Sequence, residues 1–305
     1  MQYKSVLYYK NQKKSTMTNK LDFQHRKNVI EIIINTDKPS ENLDVLLISD
    51  VHLDNSKTRR DILKKHLQEI EEKNGLVISG GDLMDLMQGK TDRRSNKSSL
   101  MDIHKIAYID DVIDETADFL SKFSVPYIFL DGNHETAVLN KLETDPTRRL
   151  SKALENKNLM CTYGRYQNFL KFIFKEKGKR SRNFILAFHH GAWGGKITKG
   201  VLSVIRYASI YPDANAIWSG HTHDGWYVAH PQYKLDQSGV VKQRLQHHIK
   251  TGTYKDEFTK GQGWATEKLV MPSTCGGFIM NLSYKRTSKS PSIKASFESR
   301  LMAFN

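Results

Sequence analysis

Five short polar motifs, each at the end of an apolar run of β-type residues, constrain this chain of 305 residues more than any other feature. In chain order they are D-x-H at 50–52, G-D at 81–82, G-N-H-E at 132–135, H-H-G at 189–191 and G-H-x-H at 220–223. Runs such as VLLISD and AIWSGHTH have the composition of buried strands. Because ligands of α/β sheets bind outside the carboxyl ends of the strands, we expect the five motifs to converge there.

The residue types in these motifs indicate a metal centre. They are carboxylates and imidazoles without thiolates, which suit divalent ions such as Mn²⁺, Zn²⁺ or Fe²⁺. About three to four protein ligands per ion would leave coordination positions open, and the number of ligands fits two ions better than one. Two metals about 3.5–4 Å apart can hold a phosphoryl group, activate a water molecule and stabilise the leaving oxygen. The reaction class indicated is phosphoester hydrolysis.

The motif order D-x-H, G-D, G-N-H-E, H-G, G-H-x-H resembles that of the calcineurin-like metallophosphoesterases, over roughly residues 43–285. The resemblance implies an α/β fold, a four-layer sandwich of two mixed β-sheets flanked by helices, with a dinuclear metal centre at the strand carboxyl ends. The implied cofactors are two divalent ions, with Mn²⁺ preferred and Zn²⁺, Fe²⁺ or Ni²⁺ as alternatives. Taken together in this order, the motifs make ordinary turns or caps a poor explanation.

The resemblance also implies a role for individual residues. One metal would be held by Asp50, His52, Asp82 and His223, and the other by Asp82, Asn133, His190 and His221. Asp82 would therefore bridge the two ions. His134 corresponds to the family's histidine that binds no metal and protonates the leaving alkoxide or stabilises charge in the transition state.

Three further residues in or next to the motifs have two interpretations each. Asp85 and Glu135 either orient histidines by accepting ring N–H bonds or cap the helices that follow. His189 precedes the expected ligand His190, and adjacent residues of a strand face opposite ways. We therefore expect His189 to support the metal ligands from behind or to pack against other side chains.

The charge of the chain indicates its substrate class. A formal net charge of +14 and a pI near 9.5 raise the rate of encounter with polyanions. Nucleic acid is the partner expected, and the basic segment 86–100 carries the candidate substrate-binding residues Arg93, Arg94 and Lys97. The alternative is that the lysines form an ordinary solvated surface. No apolar stretch approaches a membrane span, so the expected location is the cytoplasm, and the sequence does not indicate an oligomeric state.

The pattern along the chain predicts a basic N-terminal extension at 1–40, a metallophosphoesterase domain at 41–285 and a polar, mobile C-terminal tail at 286–305. Within the extension, residues 29–35 are expected to form a strand. Helical spacing is present at 60–73, 110–122 and 136–155. Alternating strands and helices agree with the α/β fold that the motifs imply.

Three functions are compatible with these observations. The first is a phosphodiesterase acting on nucleic acid, that is, a nuclease. The second is a phosphatase or phosphodiesterase acting on small nucleotides or phosphoproteins, and the third is a nonenzymatic scaffold, which the intact ligand set disfavours. The segments 86–100, 189–200, 254–258 and 261–264 resemble a subgroup of this superfamily often encoded by bacteriophages, which would place the protein in the host cytoplasm.

Overall fold

The chain folds into two mixed β-sheets packed face to face, in a computed structural model that describes residues 20–88, 92, 95, 107–192, 198, 200–235, 238–257, 267, 269–287 and 290–304. Within these residues, one sheet has seven strands in the order β1 (Leu21–Arg26), β2 (Val29–Thr36), β7 (Gln167–Glu176), β8 (Arg182–His189), β9 (Ala216–Ser219), β11 (Val241–Lys250) and β10 (Trp226–Leu235). The other has six, in the order β13 (Pro291–Ser299), β12 (Phe278–Arg286), β3 (Ser40–Ile48), β4 (Leu76–Gly80), β5 (Tyr127–Leu130) and β6 (Cys161–Tyr163).

The strands that precede the motifs lie in the parallel part of each sheet. β3, β4, β5 and β6 pair in parallel, as do β8 with β9 and β9 with β11. β4 and β5 are buried along their whole length, as expected for parallel strands that are covered on both faces. Their carboxyl ends therefore open onto the same edge of the sandwich.

Helices cover both outer faces. The described helices are α1 (Arg60–Glu72), α2 (Tyr108–Leu120), α3 (Asn133–Leu142), α4 (Pro146–Asn156) and α5 (Ser203–Ile210). One core of aliphatic and aromatic side chains fills the space between the sheets, a second lies under α1, α2 and α4, and a small third cluster includes Tyr211 and Ile217. The predicted four-layer α/β sandwich of two mixed sheets is confirmed.

The helix predictions hold with one correction. α1 buries Ile62, Leu63, Leu67 and Ile70 on its inner face, as its spacing predicted. The single helical segment expected at 136–155 is instead two helices. Glu143 has a left-handed φ of 52°, and a new helix begins at Pro146 because the Asp145 side chain caps the N–H of Arg148.

Both chain ends contribute strands to the two sheets. In the predicted N-terminal extension, β2 pairs in parallel with β7 and extends the seven-stranded sheet. The expectation of a mobile tail at 286–305 is wrong for residues 291–299, which form β13 and pair with β12. The reason is that Ile293, Ala295 and Phe297 alternate with exposed residues and are partly buried against the inter-sheet core.

Candidate metal centre

The five motifs meet at one edge of the sandwich. Those after β3, β4 and β5 come from the six-stranded sheet, and those after β8 and β9 come from the seven-stranded sheet. Backbone hydrogen bonds join neighbouring motif loops: the N–H of Asp50 donates to the carbonyl of Gly81 at 3.0 Å, and the N–H of Gly220 donates to that of His190 at 2.7 Å. The two sets of loops are joined across the sheets by the backbone N–H of His221, which donates to Asp50 Oδ2 at 3.0 Å.

Most of the expected ligands have an unusual backbone conformation. Positive φ angles occur at Asp50 (52°), His52 (51°), Asp82 (49°), His221 (74°) and His223 (62°). Asp and His tolerate the left-handed region better than most residues, yet each such residue costs about 1–3 kcal/mol. Five of them within one site indicate that the surrounding packing holds the loops in a geometry selected for side-chain placement.

Two groups of ligand atoms result. In the first, His223 Nε2 lies 3.4 Å from His52 Nε2 and 3.6 Å from Asp50 Oδ1. In the second, His190 Nε2 lies 3.2 Å from Asp82 Oδ2 and 3.2 Å from Asn133 Oδ1, which is 2.8 Å from His221 Nδ1. All seven expected ligands are therefore brought together.

The donor spacing fits divalent metals. Ligands about 2.1 Å from one ion are about 3.0–3.4 Å apart in octahedral or tetrahedral coordination, and the distances within each group are close to this range. Asp50 Oδ1 also lies 3.9 Å from His190 Nε2, so Asp50 lies between the groups. Bridging by Asp82 stays a prediction.

The charges of the site also favour a cation. Asp50 and Asp82 are 0% and 2% exposed, and buried carboxylates require compensating positive charge. Burial opposes protonation of His190, but the adjacent Asp82 carboxylate prevails and raises the pKa of His190 to about 10. Burial lowers the pKa of His223 to about 4, which keeps that imidazole in the neutral form that binds metals.

His134 lies beside both groups, and its ring shares a third set of close ligand atoms with His52 and Asp85. The backbone N–H of His134 donates to Asp82 Oδ1 at 2.9 Å. In its ring, Nδ1 donates to the backbone carbonyl of Asp85, and Nε2 lies 3.7 Å from Asp82 Oδ2. Burial lowers the pKa of His134, but Asp82 and Asp85 outweigh it and raise the pKa above the usual value. The side chain is thus held with Nε2 toward the ligand groups and with its protonated form favoured.

Asp85 contacts histidine, whereas Glu135 contacts backbone. Asp85 Oδ1 lies 3.0 Å from His52 Nδ1, which leaves His52 Nε2 facing the first ligand group. Glu135 accepts N–H bonds from Asp82 and Gly132, both at 2.9 Å, and burial raises its pKa to about 7. Of the two interpretations, Asp85 lies at ion-pair distance from His52, as an orienting residue would, whereas Glu135 caps α3 by accepting the N–H of Gly132 and also holds the backbone of Asp82.

His189 faces away from the ligand groups. Its Nδ1 accepts the N–H of Gly191 at 3.1 Å, and its ring packs edge-on against Tyr166 at 5.2 Å. Burial lowers the pKa of His189. The structure therefore places His189 as a packed side chain. The candidate substrate-binding residues Arg93, Arg94 and Lys97 lie outside the described residues.

Sequence reasoning missed four residues that hold the site. Asn55 Nδ2 donates to Asp85 Oδ2 at 2.9 Å, and Lys255 Nζ lies 3.5 Å from Asp85 Oδ1. The fully buried Asp54 accepts the N–H of Leu86 at 3.2 Å and the hydroxyl of Tyr108 at 2.6 Å. Asp54 lies two residues after His52 in the first motif, and this acidic neighbour was the one available signal.

A two-sheet sandwich with aspartate, histidine and asparagine groups at its strand ends defines the class of metallophosphoesterases. A family model described as calcineurin-like phosphoesterase matches residues 43–225, more than half of the chain. The chain belongs to this family, whose members bind two divalent metal ions. No curated protein matches the sequence significantly.

Solved structures resemble the fold only distantly. GAP50 of Plasmodium, described as the anchor in the inner membrane complex, is 14% identical with a TM-score of 0.39, and the match covers 87% of both chains. Vps29 from Entamoeba histolytica with Zn²⁺ is 12% identical with a TM-score of 0.33, covering 84% of this chain and 99% of that one. A predicted phosphoesterase from Streptococcus pneumoniae is 9% identical with a TM-score of 0.29, and the match covers 84% of this chain and 99% of that one. Similarity at this level carries no argument about activity.

Among the helices of the described regions, none has both the length and the apolar character needed to cross a bilayer.

Proposed function

We propose that the protein hydrolyses phosphodiester bonds in nucleic acid with two Mn²⁺ ions. The observation that carries the hydrolytic part is the paired ligand set around Asp50 and Asp82, with His134 placed beside it. When bound, two divalent ions hold the phosphoryl group, lower the pKa of the attacking water and stabilise the leaving oxygen. The net charge of +14 supports a polyanionic substrate.

The protein's own residues have distinct tasks in this proposal. One ion would be held by Asp50, His52 and His223 and the other by Asn133, His190 and His221, and Asp82 would serve both. Asp85 fixes the ring of His52 from behind, which keeps its Nε2 directed at the ion. His134 donates a proton from Nε2 to the leaving alkoxide, because its Nδ1 is already engaged by the Asp85 carbonyl.

Substrate preference tests the proposal. Mn²⁺-loaded protein should degrade single- or double-stranded oligonucleotides faster than it cleaves p-nitrophenyl phosphate or its bis-ester. A preference for the monoester would instead support the phosphatase alternative, and failure to cleave any of these substrates would support the scaffold. The same assays with Zn²⁺, Fe²⁺ and Ni²⁺ identify the metal that supports turnover, and a clear preference for one of these would contradict Mn²⁺.

Asp82 tests the dinuclear centre. Asp82→Ala should lose metal and activity together, because Asp82 is expected to serve both ions. Asp118→Ala is the matched control, since Asp118 is an exposed carboxylate on α2 whose partner is Lys157. Elemental analysis that finds one ion or none in fully metallated wild type would contradict two-metal binding.

We further propose that the chain belongs to the phage-encoded subgroup and acts in the host cytoplasm. The support is the pattern of the segments 86–100, 189–200, 254–258 and 261–264. Membership of the phage-encoded subgroup would be contradicted if the encoding gene lies among host chromosomal genes with no phage genes nearby. Recovery of the tagged protein in the membrane or secreted fraction would contradict action in the host cytoplasm.

A further inference from the structure

Lys250 is a buried lysine at the metal edge of the fold, and the hydrolysis proposed above gives it no task. It is the last residue of β11 and pairs in register with Ser219, which ends β9 directly before the G-H-x-H motif. Because β9 and β11 run parallel, Lys250 lies at the same edge of the sheet as His221 and His223. The residue is only 2% exposed.

The charge of Lys250 reaches the metal centre. Burial lowers the pKa of Lys250, and the carboxylates of Asp50 and Asp224 oppose this effect, so both lie within electrostatic range of its ammonium. Burial and the neighbouring His190 lower the pKa of His221, and the Lys250 ammonium adds to this lowering. The ammonium is therefore near the second group of ligand atoms, to which His190 and His221 belong.

This ammonium has no anionic partner close by. In the part of the chain that the structure describes, no acidic side chain is at ion-pair distance from Lys250 Nζ, and no hydrogen bond from it is found. Nζ lies against Gly200, where an added Cβ would be 2.7 Å away. The sequence before Gly200, AWGGKITK at 192–199, has two lysines and no acid. The chain on this side therefore provides positive charge and no counter-charge.

Metal binding would increase the need for a counter-charge. Burying an ammonium is costly unless a negative charge compensates for it. The carboxylate of Asp50 compensates for Lys250 only while it holds no metal, since a divalent cation takes up the same negative charge. With two divalent ions bound, the charge of the ions alone exceeds that of Asp50 and Asp82. The loaded site then requires an anion from outside, and a phosphate group is the anion that the proposed reaction brings there.

We propose that Lys250 is a substrate-binding residue whose ammonium pairs with an oxygen of the phosphate group at the metal centre. An ammonium binds phosphate as a compact point charge with three rotatable donors. This inference rests on the proposed function and adds a residue that recognises the scissile phosphate. Because the contact does not involve the organic part of the ester, small phosphate compounds are sufficient to test it.

Two variants separate the charge of Lys250 from its bulk. Lys250→Met removes the charge and keeps an unbranched side chain, whereas Lys250→Arg keeps the charge. Lys285→Met is the matched control, because Lys285 is an exposed lysine of β12 that pairs with Ser40 at the start of β3, at the opposite edge of the sandwich. Calorimetric titration with inorganic phosphate measures anion binding to the full-length, Mn²⁺-loaded protein, and elemental analysis checks that each variant holds the same ions.

Lys250→Met should weaken phosphate binding and raise KM for bis-p-nitrophenyl phosphate, each by about tenfold or more, because a hydrogen bond between charged groups is lost. Lys250→Arg should recover most of both, and Lys285→Met should change neither. If Lys250→Met fails to fold, Lys250→Gln takes its place, since it also lacks the charge, and the same two losses are expected.

Stability in urea separates this role from a structural one. If Lys250 binds substrate, the free energy of unfolding of metal-free Lys250→Met should equal or exceed that of wild type, because a buried charge without a close partner is removed. A destabilised Lys250→Met that binds phosphate as tightly as wild type would show that Lys250 serves the fold, and would overturn the proposal.

The outcomes also distinguish this inference from the proposed function. Equal phosphate affinity and equal KM in wild type and Lys250→Met overturn the role of Lys250 even if the protein degrades nucleic acid. Phosphate binding that depends on Lys250, in a protein that hydrolyses no nucleic acid, overturns the nuclease proposal and leaves Lys250 as part of a phosphate-binding site.

Discussion

At the scale of single residues, the site pairs buried acids with imidazoles that have different surroundings. The Asp82 carboxylate contacts His190 and stabilises the protonated form of that imidazole. Burial instead keeps the imidazole of His223 neutral. His134 has Asp82 and Asp85 as neighbours, and both raise its pKa against the effect of burial. Because the pKa is raised at both His190, an expected ligand, and His134, the expected proton donor, the position of each imidazole distinguishes their roles and its pKa does not.

His134 should be dispensable for metal binding and essential for turnover. His134→Ala should retain both ions while losing about 10²–10⁴-fold in turnover on oligonucleotides. The loss should be smaller for bis-p-nitrophenyl phosphate, because p-nitrophenolate hardly needs a proton to leave. Metal analysis and kinetics on one preparation measure both quantities, with His230→Ala, a half-exposed histidine of β10, as the control. Release of an ion from His134→Ala would show that its assigned role is wrong.

At the scale of elements, loops rather than strands carry the site, and helices hold the loops. The loop after β4 is tied to α2 through Tyr108 and Asp54, and to the start of α3 through Glu135. The N–H groups of Asp85 and Leu86 both donate to Asp54. Because Asp85 supports His52 and His134 at once, a shift of this loop would move both histidines.

Tyr108→Phe should therefore destabilise the fold although it removes a single oxygen. It leaves the buried Asp54 carboxylate with one donor fewer, and losing a partner of a buried polar group costs about 1–3 kcal/mol. Urea unfolding followed by circular dichroism measures the free energy of unfolding. Tyr233→Phe is the matched control, since Tyr233 is 81% exposed and should change nothing measurable. Equal stabilities of the two variants would show that Asp54 does not need this hydroxyl.

At the scale of the whole molecule, the excess of 47 basic over 33 acidic residues governs the first encounter with a substrate. A field of this sign attracts polyanions over several ångströms and is screened by salt. The metal centre itself can contact only the scissile phosphate of a long substrate. Affinity for a long substrate must therefore come from basic residues outside the centre.

Arg93, Arg94 and Lys97 should contribute to that affinity. Replacing all three with alanine should weaken oligonucleotide binding, and each lost phosphate contact should flatten the slope of log K against log salt by about 0.9 on duplex DNA or about 0.7 on a single strand. Hydrolysis of bis-p-nitrophenyl phosphate should barely change, because this small substrate cannot reach beyond the metals. Binding titrations at several salt concentrations and both rate assays test this. A parallel loss of the two rates would show that the three residues support the fold instead.

The sequence alone was enough to predict the fold class, the family and the set of metal-ligand candidates, because each motif is a local pattern attached to the end of a strand. It did not reveal that Glu135 binds backbone while Asp85 contacts His52, or that Lys255 and Asn55 also reach Asp85. Lys255 is 170 residues away from Asp85 along the chain, so no local pattern links the two. Their contact is decided by how the two sheets pack and by which loops that packing brings within a few ångströms of each other.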